Sequence, residues 1–127
     1  MPSYSFEDLE VYKAAREFRK KIFGLVKQLP AEEKYNLGSQ MRRAATSLTN
    51  NIAEGHGRFH YQENIQFLRQ SRGSLEELLD DLNICLDESY FQVSEIDPVR
   101  VEGFEFLHRI NGYIAYLRRR KSAEEST

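Results

Sequence analysis

Apolar residues recur at steps of three and four through nearly the whole chain, in four separate segments, and this spacing constrains the fold more than any other feature. A period of 3.6 residues puts such positions on one side of a helix, whereas a half-buried strand would alternate them at every second residue. The first segment, from Phe6 to Leu29, carries Leu9, Tyr12, Phe18, Ile22, Leu25 and Leu29, with Ala15 bridging the longer step. Ser5 precedes it as an N-cap whose side chain can accept from the Asp8 amide, and Pro30 ends it. Lys13, Arg16, Lys20, Lys21 and Lys27 fall mostly off the stripe.

The second segment runs from about Asn36 to just before Gly55 and presents Leu37, Met41, Ala44, Ala45, Leu48 and Ile52, a face of small side chains that lets a neighbour approach closely. Gly55-His56-Gly57-Arg58 reads as a C-cap and turn, with glycine free to take the left-handed conformation. The third segment, Tyr61 to Phe91, carries Ile65, Leu68, Leu75, Leu78, Leu79, Leu82, Cys85 and Leu86, and its Gly73-Ser74 pair marks an expected close crossing with the second. The fourth is expected to start at Asp97-Pro98, Asp suiting the cap and Pro the first helical position, and to run to Lys121. Leu107, Ile110, Ile114 and Leu117 should face its core, and the polar end 122–127 should fray. The expectation is one all-α domain over residues 1–127, an antiparallel up-and-down four-helix bundle.

With 127 residues, 40% of them hydrophobic, the chain can bury a core without staples. Cys85 stands alone, which excludes an internal disulfide and argues against a Cys-based zinc site. Met1-Pro2-Ser3-Tyr4-Ser5 leads directly into charge and no run approaches the roughly 18 apolar residues of a membrane span, so the expected location is cytoplasmic, with no membrane partner.

Phe6-Glu7-Asp8-Leu9-Glu10-Val11-Tyr12-Lys13-Ala14-Ala15, Gln40-Met41-Arg42-Arg43-Ala44-Ala45, Asn51-Ile52-Ala53-Glu54-Gly55-His56-Gly57-Arg58, Phe67-Leu68 and Gly73-Ser74-Leu75-Glu76-Glu77 follow one another in order. Together they resemble the bacterial four-helix bundle family also known as S23 ribosomal protein, encoded by intervening sequences within large-subunit ribosomal RNA genes. The sequence departs from the family pattern at Tyr12, where Trp is common, and at Thr49-Asn50, where Pro-Ser is common. The resemblance implies an antiparallel bundle that assembles as a homo-oligomer, a pentamer by family likeness, with a tie to RNA and no established enzyme activity.

The formal net charge of -2 conceals an asymmetry: residues 1–75 hold 12 Lys and Arg against 8 Asp and Glu, and residues 76–127 hold 6 against 12. Interleaving of antiparallel helices would blend these halves into a mixed surface; their segregation would give a local site for phosphate. Arg42, Arg43, Arg58, Arg69 and Arg72 are the candidate RNA or phosphate contacts, on a basic edge of the second and third helices, with Phe59 and Tyr61 near enough to stack bases. The competing reading of the same edge is structural, a polar network of Arg43, Asn51, Glu54 and Arg58 that fixes register. Arg118-Arg119-Arg120-Lys121 reads as a helix C-terminus complemented by cations, or as a basic nucleic-acid contact. Phe104, Phe106, Tyr113 and Tyr116 exceed one core-facing stripe and are the expected oligomer interface.

No catalytic constellation stands out. Glu105-Phe106-Leu107-His108 has the Glu-x-x-His spacing of di-iron bundles without a second copy, and Gly57 separates His56 from His60. Gly55-x-Gly57 lacks the strand and lysine of a phosphate-cradling loop. The expectation is therefore no enzyme, catalytic residue, metal, cofactor or small-molecule substrate, but an interaction module contacting RNA or a ribonucleoprotein, with a purely structural assembly protein as the alternative.

Overall fold

The computed structural model describes residues 5–126; residues 1–4, on which the expected cytoplasmic location partly rests, and Thr127 lie outside the described part. Four α-helices make up the fold of the described residues: α1 Glu10–Val26, α2 Leu37–His56, α3 Tyr61–Asp87 and α4 Val93–Glu125. They form an antiparallel bundle in which α1 packs on α2 and α4, and α3 packs on the same two. Each helix thus touches its neighbours in chain order, and the last closes on the first.

Residues 6–8 form a separate 3-10 turn ahead of α1. Ser5 caps that turn as a capping box with Asp8: its Oγ faces the Asp8 amide and also accepts from the Glu7 amide at 3.1 Å, while the Asp8 carboxylate accepts from the Ser5 amide at 3.0 Å. The two bonds satisfy donors that a helix start leaves free. Pro30 leads into a second 3-10 turn, Ala31–Glu33. α2 is unbroken through Thr49-Asn50.

Several boundaries differ from those read in the sequence. α3 stops at Asp87 because Ser89 takes a left-handed conformation at φ 59°, letting the Tyr90 amide donate to the Cys85 carbonyl at 2.9 Å. That closure folds Phe91 back onto the core. α4 starts at Val93, one turn before Pro98: the Gln92 amide donates to the Glu95 carboxylate at 3.1 Å, and Ile96 in this first turn is fully buried. Pro98 then sits in the second turn, where it forgoes one bond to a carbonyl on an exposed stretch. The polar end expected to fray is helical to Glu125, so Arg118 to Lys121 lie inside the helix rather than at its C-terminus.

The core face of α4 is Ile96, Val99, Gly103, Phe106, Ile110, Ile114 and Leu117. Phe106, expected at an oligomer interface, is 2% exposed and its ring lies 6.3 Å from that of Phe18. Leu107, expected in the core, is only partly buried. The heptad spacing admits either residue, and the larger ring takes the position facing α1.

The small-residue crossing of α2 and α3 is real, but Gly55 makes it and Gly73 does not. Gly55 is helical and buried, not a left-handed cap, and a Cβ there would stand 2.7 Å from Asn64 Oδ1 and 2.9 Å from Phe67 Cβ. Gly73 has nothing within 4 Å of such an atom. Ser71 and Ser74 seal the seam above it: Ser71 donates to the Leu48 carbonyl at 2.9 Å and Ser74 to Ser47 Oγ at 2.9 Å. Gly103 is a second close approach, its Cβ position lying 2.8 Å from Leu79 Cδ2 and 3.1 Å from the Phe18 ring. These environments make opposite expectations for alanine: Gly73→Ala should raise stability by up to about 1 kcal/mol through helix propensity alone, whereas Gly103→Ala should lower it by about 1–2 kcal/mol through overpacking. Urea midpoints of the two variants, shifting in opposite directions, would check both.

Candidate nucleic-acid interface

Together α1 and α2 hold seven Lys and Arg against three carboxylates, and α3 and α4 hold eight against twelve. The first pair packs together along one side of the bundle, so the chain's charge asymmetry survives folding instead of blending. Its focus is the groove between α1 and α2.

Arg16, Arg19, Lys20, Phe23 and Lys27 follow one another at helical spacing on a flank of α1 away from its buried stripe. Arg19, Lys20, Phe23, Gly24, Lys27 and Thr46 line a concavity of about 450 Å³ whose lining holds no carboxylate among the described residues. Arg19 donates to Thr49 Oγ1 at 2.8 Å, a neutral partner that fixes the guanidinium without cancelling its charge. From α2, the Arg42 guanidinium lies 5.2 Å from the centroid of the Phe23 ring, a contact that positions the cation and leaves its charge available. Lys20 has an exposed carboxylate, that of Glu17, at 3.5 Å; such surface pairs hold together weakly.

The five arginines read as one edge do not form one patch. Arg42 leans toward α1. Arg72 donates to Asn111 Oδ1 of α4 at 2.8 Å, on the far side of the bundle, and Arg69 lies one turn before Arg72 on α3. Arg43 is exposed on the outer face of α2. Arg58 pairs with Glu54 at 3.1 Å and Glu63 at 4.0 Å and covers the Phe67 ring at 4.9 Å.

The expected polar network divides accordingly. Asn51 donates to the Ser47 carbonyl at 3.0 Å and to Ser47 Oγ at 2.8 Å, joining the serine seam with α3. Glu54 and Arg58 form a separate, solvent-facing pair, and Arg43 belongs to neither. Spacing of three and four along α2 brought these residues to one flank in the sequence, but could not tell an inward carboxamide from an outward carboxylate.

At the end of the bundle where α2 turns into α3, Arg58, Phe59, His60, Tyr61 and Asn64 meet Tyr113, Tyr116 and Leu117 of α4 around a cavity of about 470 Å³. The basic run of α4 reaches the same end: Arg120 donates to the Tyr61 hydroxyl, which holds the guanidinium above its ordinary pKa, and Lys121 donates to Gln62 Oε1 at 2.9 Å. Nothing in the sequence links these two segments, since their meeting depends on α3 and α4 running antiparallel.

On the outer face of α4, Asp97, Val101, Phe104, Glu105, His108 and Gly112 line part of a shallow concavity of about 940 Å³. Phe104 and Tyr116 are about half exposed there and at the adjoining end, and Tyr113 is partly buried, stacked on Tyr116 with centroids 6.1 Å apart. Of the four aromatic residues expected at an interface, Phe106 alone is committed to the core. Glu105 and His108 are both exposed, and among the described residues no three His, Cys, Asp or Glu are grouped to hold a metal. Among the described residues no helix is long and apolar enough to cross a membrane.

These features define the class first: an all-α antiparallel four-helix bundle with segregated charge. Residues 7–112 match the model of the 23S rRNA-intervening sequence protein family, and the chain belongs to that family. The fold is similar to the crystal structure of a protein of unknown function from the S23 ribosomal protein family of Bacteroides thetaiotaomicron, with a TM-score of 0.76 at 20% identity over 82% of this chain and 97% of that one. No curated protein matches the sequence.

Proposed function

We propose that this protein is a non-enzymatic, homo-oligomeric bundle that binds RNA, or the RNA of a ribonucleoprotein, through the α1–α2 groove. The observation that carries the reading is the set of four cations, Arg19, Lys20, Lys27 and Arg42, gathered around Phe23 in a groove without a lining carboxylate among the described residues. Phosphates are held by such cations chiefly through release of condensed counterions, and an interposed aromatic ring offers a base a surface to stack on. The family's association with ribosomal RNA genes makes RNA the polyanion to test first. The groove replaces the α2–α3 edge as the contact surface, because Arg72 and Arg69 face away from it.

The half-exposed Phe104 and the exposed Val101 on the outer face of α4 support a subunit interface there. The pentamer implied by the family is the assembly to test, and a light-scattering mass equal to one chain, 14.9 kDa, would contradict any assembly.

A salt titration of single-stranded RNA binding, followed by fluorescence anisotropy, tests the groove. Four phosphate contacts on a single strand predict a log-log slope of about -3. Absence of binding at low salt by the assembled protein would remove RNA from the account.

A further inference from the structure

We propose that the cavity at the α2–α3 turn accepts one unpaired nucleobase of a single-stranded RNA, an inference that rests on RNA being the ligand of the α1–α2 groove. The cavity, about 470 Å³, has the size of a site for a small planar ligand. Its walls carry what a base requires. Tyr61 and Tyr116 supply ring faces, and Phe59, 94% exposed at the turn, contributes a large apolar ring with no part in the core. Unstacked bases are held on aromatic rings of this kind.

Asn64 supplies the polar element. It is 9% exposed, it lines the cavity, and its buried Oδ1 has no hydrogen-bond partner. In this structure Oδ1 packs against Gly55 of α2, and only a half-turn about χ2 would bring this costly unpartnered oxygen round to accept from the donor edge of a base. An apolar side chain from a protein partner would use the rings but leave this group unsatisfied, which favours a base as the occupant.

The placement also suits a strand already held in the groove. Leu9, in the cavity wall, precedes Arg19 and Lys27 by roughly 15 and 27 Å along the α1 axis, a distance that a few nucleotides of single-stranded RNA can span. Arg120 and Lys121, tied to Tyr61 and Gln62, stand at the cavity end, where Glu125 pairs with Lys121 at 3.8 Å and Glu124 lies near Arg120.

The test uses the full chain and a short single-stranded RNA carrying 2-aminopurine, whose fluorescence falls when the base stacks. Bound to the native protein, the probe should lose at least half its emission. Phe59→Ala and Tyr116→Ala, at exposed positions that leave the core intact, should restore most of the emission while changing affinity less than fivefold. RNA that binds without quenching, or quenching that both variants preserve, would overturn the base pocket and leave the groove standing. No binding at all would instead be the failure of the groove reading.

Discussion

Replacing Gly55 with alanine should destabilise the bundle by about 2–3 kcal/mol and lower Tm by roughly 5–10 °C. At an open helical position the same change would stabilise by up to about 1 kcal/mol. Here the new methyl group would stand 2.9 Å from Phe67 Cβ and 3.2 Å from the Asn64 carbonyl, atoms that side-chain rotation cannot remove. Asn64 Oδ1, at 2.7 Å, could swing aside, but the other two contacts require α2 and α3 to separate. Thermal unfolding followed by circular dichroism would decide: an unchanged or raised Tm would contradict the close crossing.

Asp81→Asn should act in the opposite sense and depend on pH. Asp81 is 2% exposed, its Oδ2 has no partner, and burial, reinforced by Glu77 and Asp80, pushes its pKa from an ordinary 3.8 up to about 6. Between these values the folded protein retains a proton that the unfolded chain has lost, so stability falls as pH rises from about 4 to about 6 and the penalty persists above that range. A displacement of this size corresponds to about 2–3 kcal/mol. The asparagine variant lacks the ionisation, so its stability relative to the native protein should improve by that amount between pH 4 and pH 8. Urea unfolding of both proteins at the two pH values measures the difference directly. A constant offset would show that Asp81 ionises freely in the folded state.

The four helices were legible because burial follows a 3.6-residue period, and Leu48, Leu68, Leu75 and Ile110 lie in the core as that period requires. What failed depended on partners remote in sequence. Gly55 looks like a stop signal until the packing of α3 against it is known, and Pro98 looks like a first-turn residue until Gln92 and Glu95 close an earlier cap. Phe106 and Leu107 are adjacent, and only the position of Phe18 on α1 decides which turns inward.

The candidate site was legible in kind more than in place. Lysines and arginines were visible along α1, but they read only as residues off the core stripe. Their role emerges when Arg42, assigned to the opposite edge of α2, proves to lie over Phe23 of α1. The Asn51 to Arg58 motif likewise acquires a physical basis: Asn51 ties the serine seam, Gly55 permits the crossing, and Arg58 pairs at the turn. Most of that motif serves the packing of α2 on α3, which explains why it contributes little to the basic groove.

The central claim, that RNA binds on the α1–α2 side, is tested most directly by comparing charge reversal on the two sides of the bundle. Lys20→Glu combined with Lys27→Glu should weaken binding of single-stranded RNA at least tenfold at low salt, and Arg69→Glu combined with Arg72→Glu should change it less than threefold. Equal losses from both pairs, or a greater loss from the α3 pair, would contradict the account.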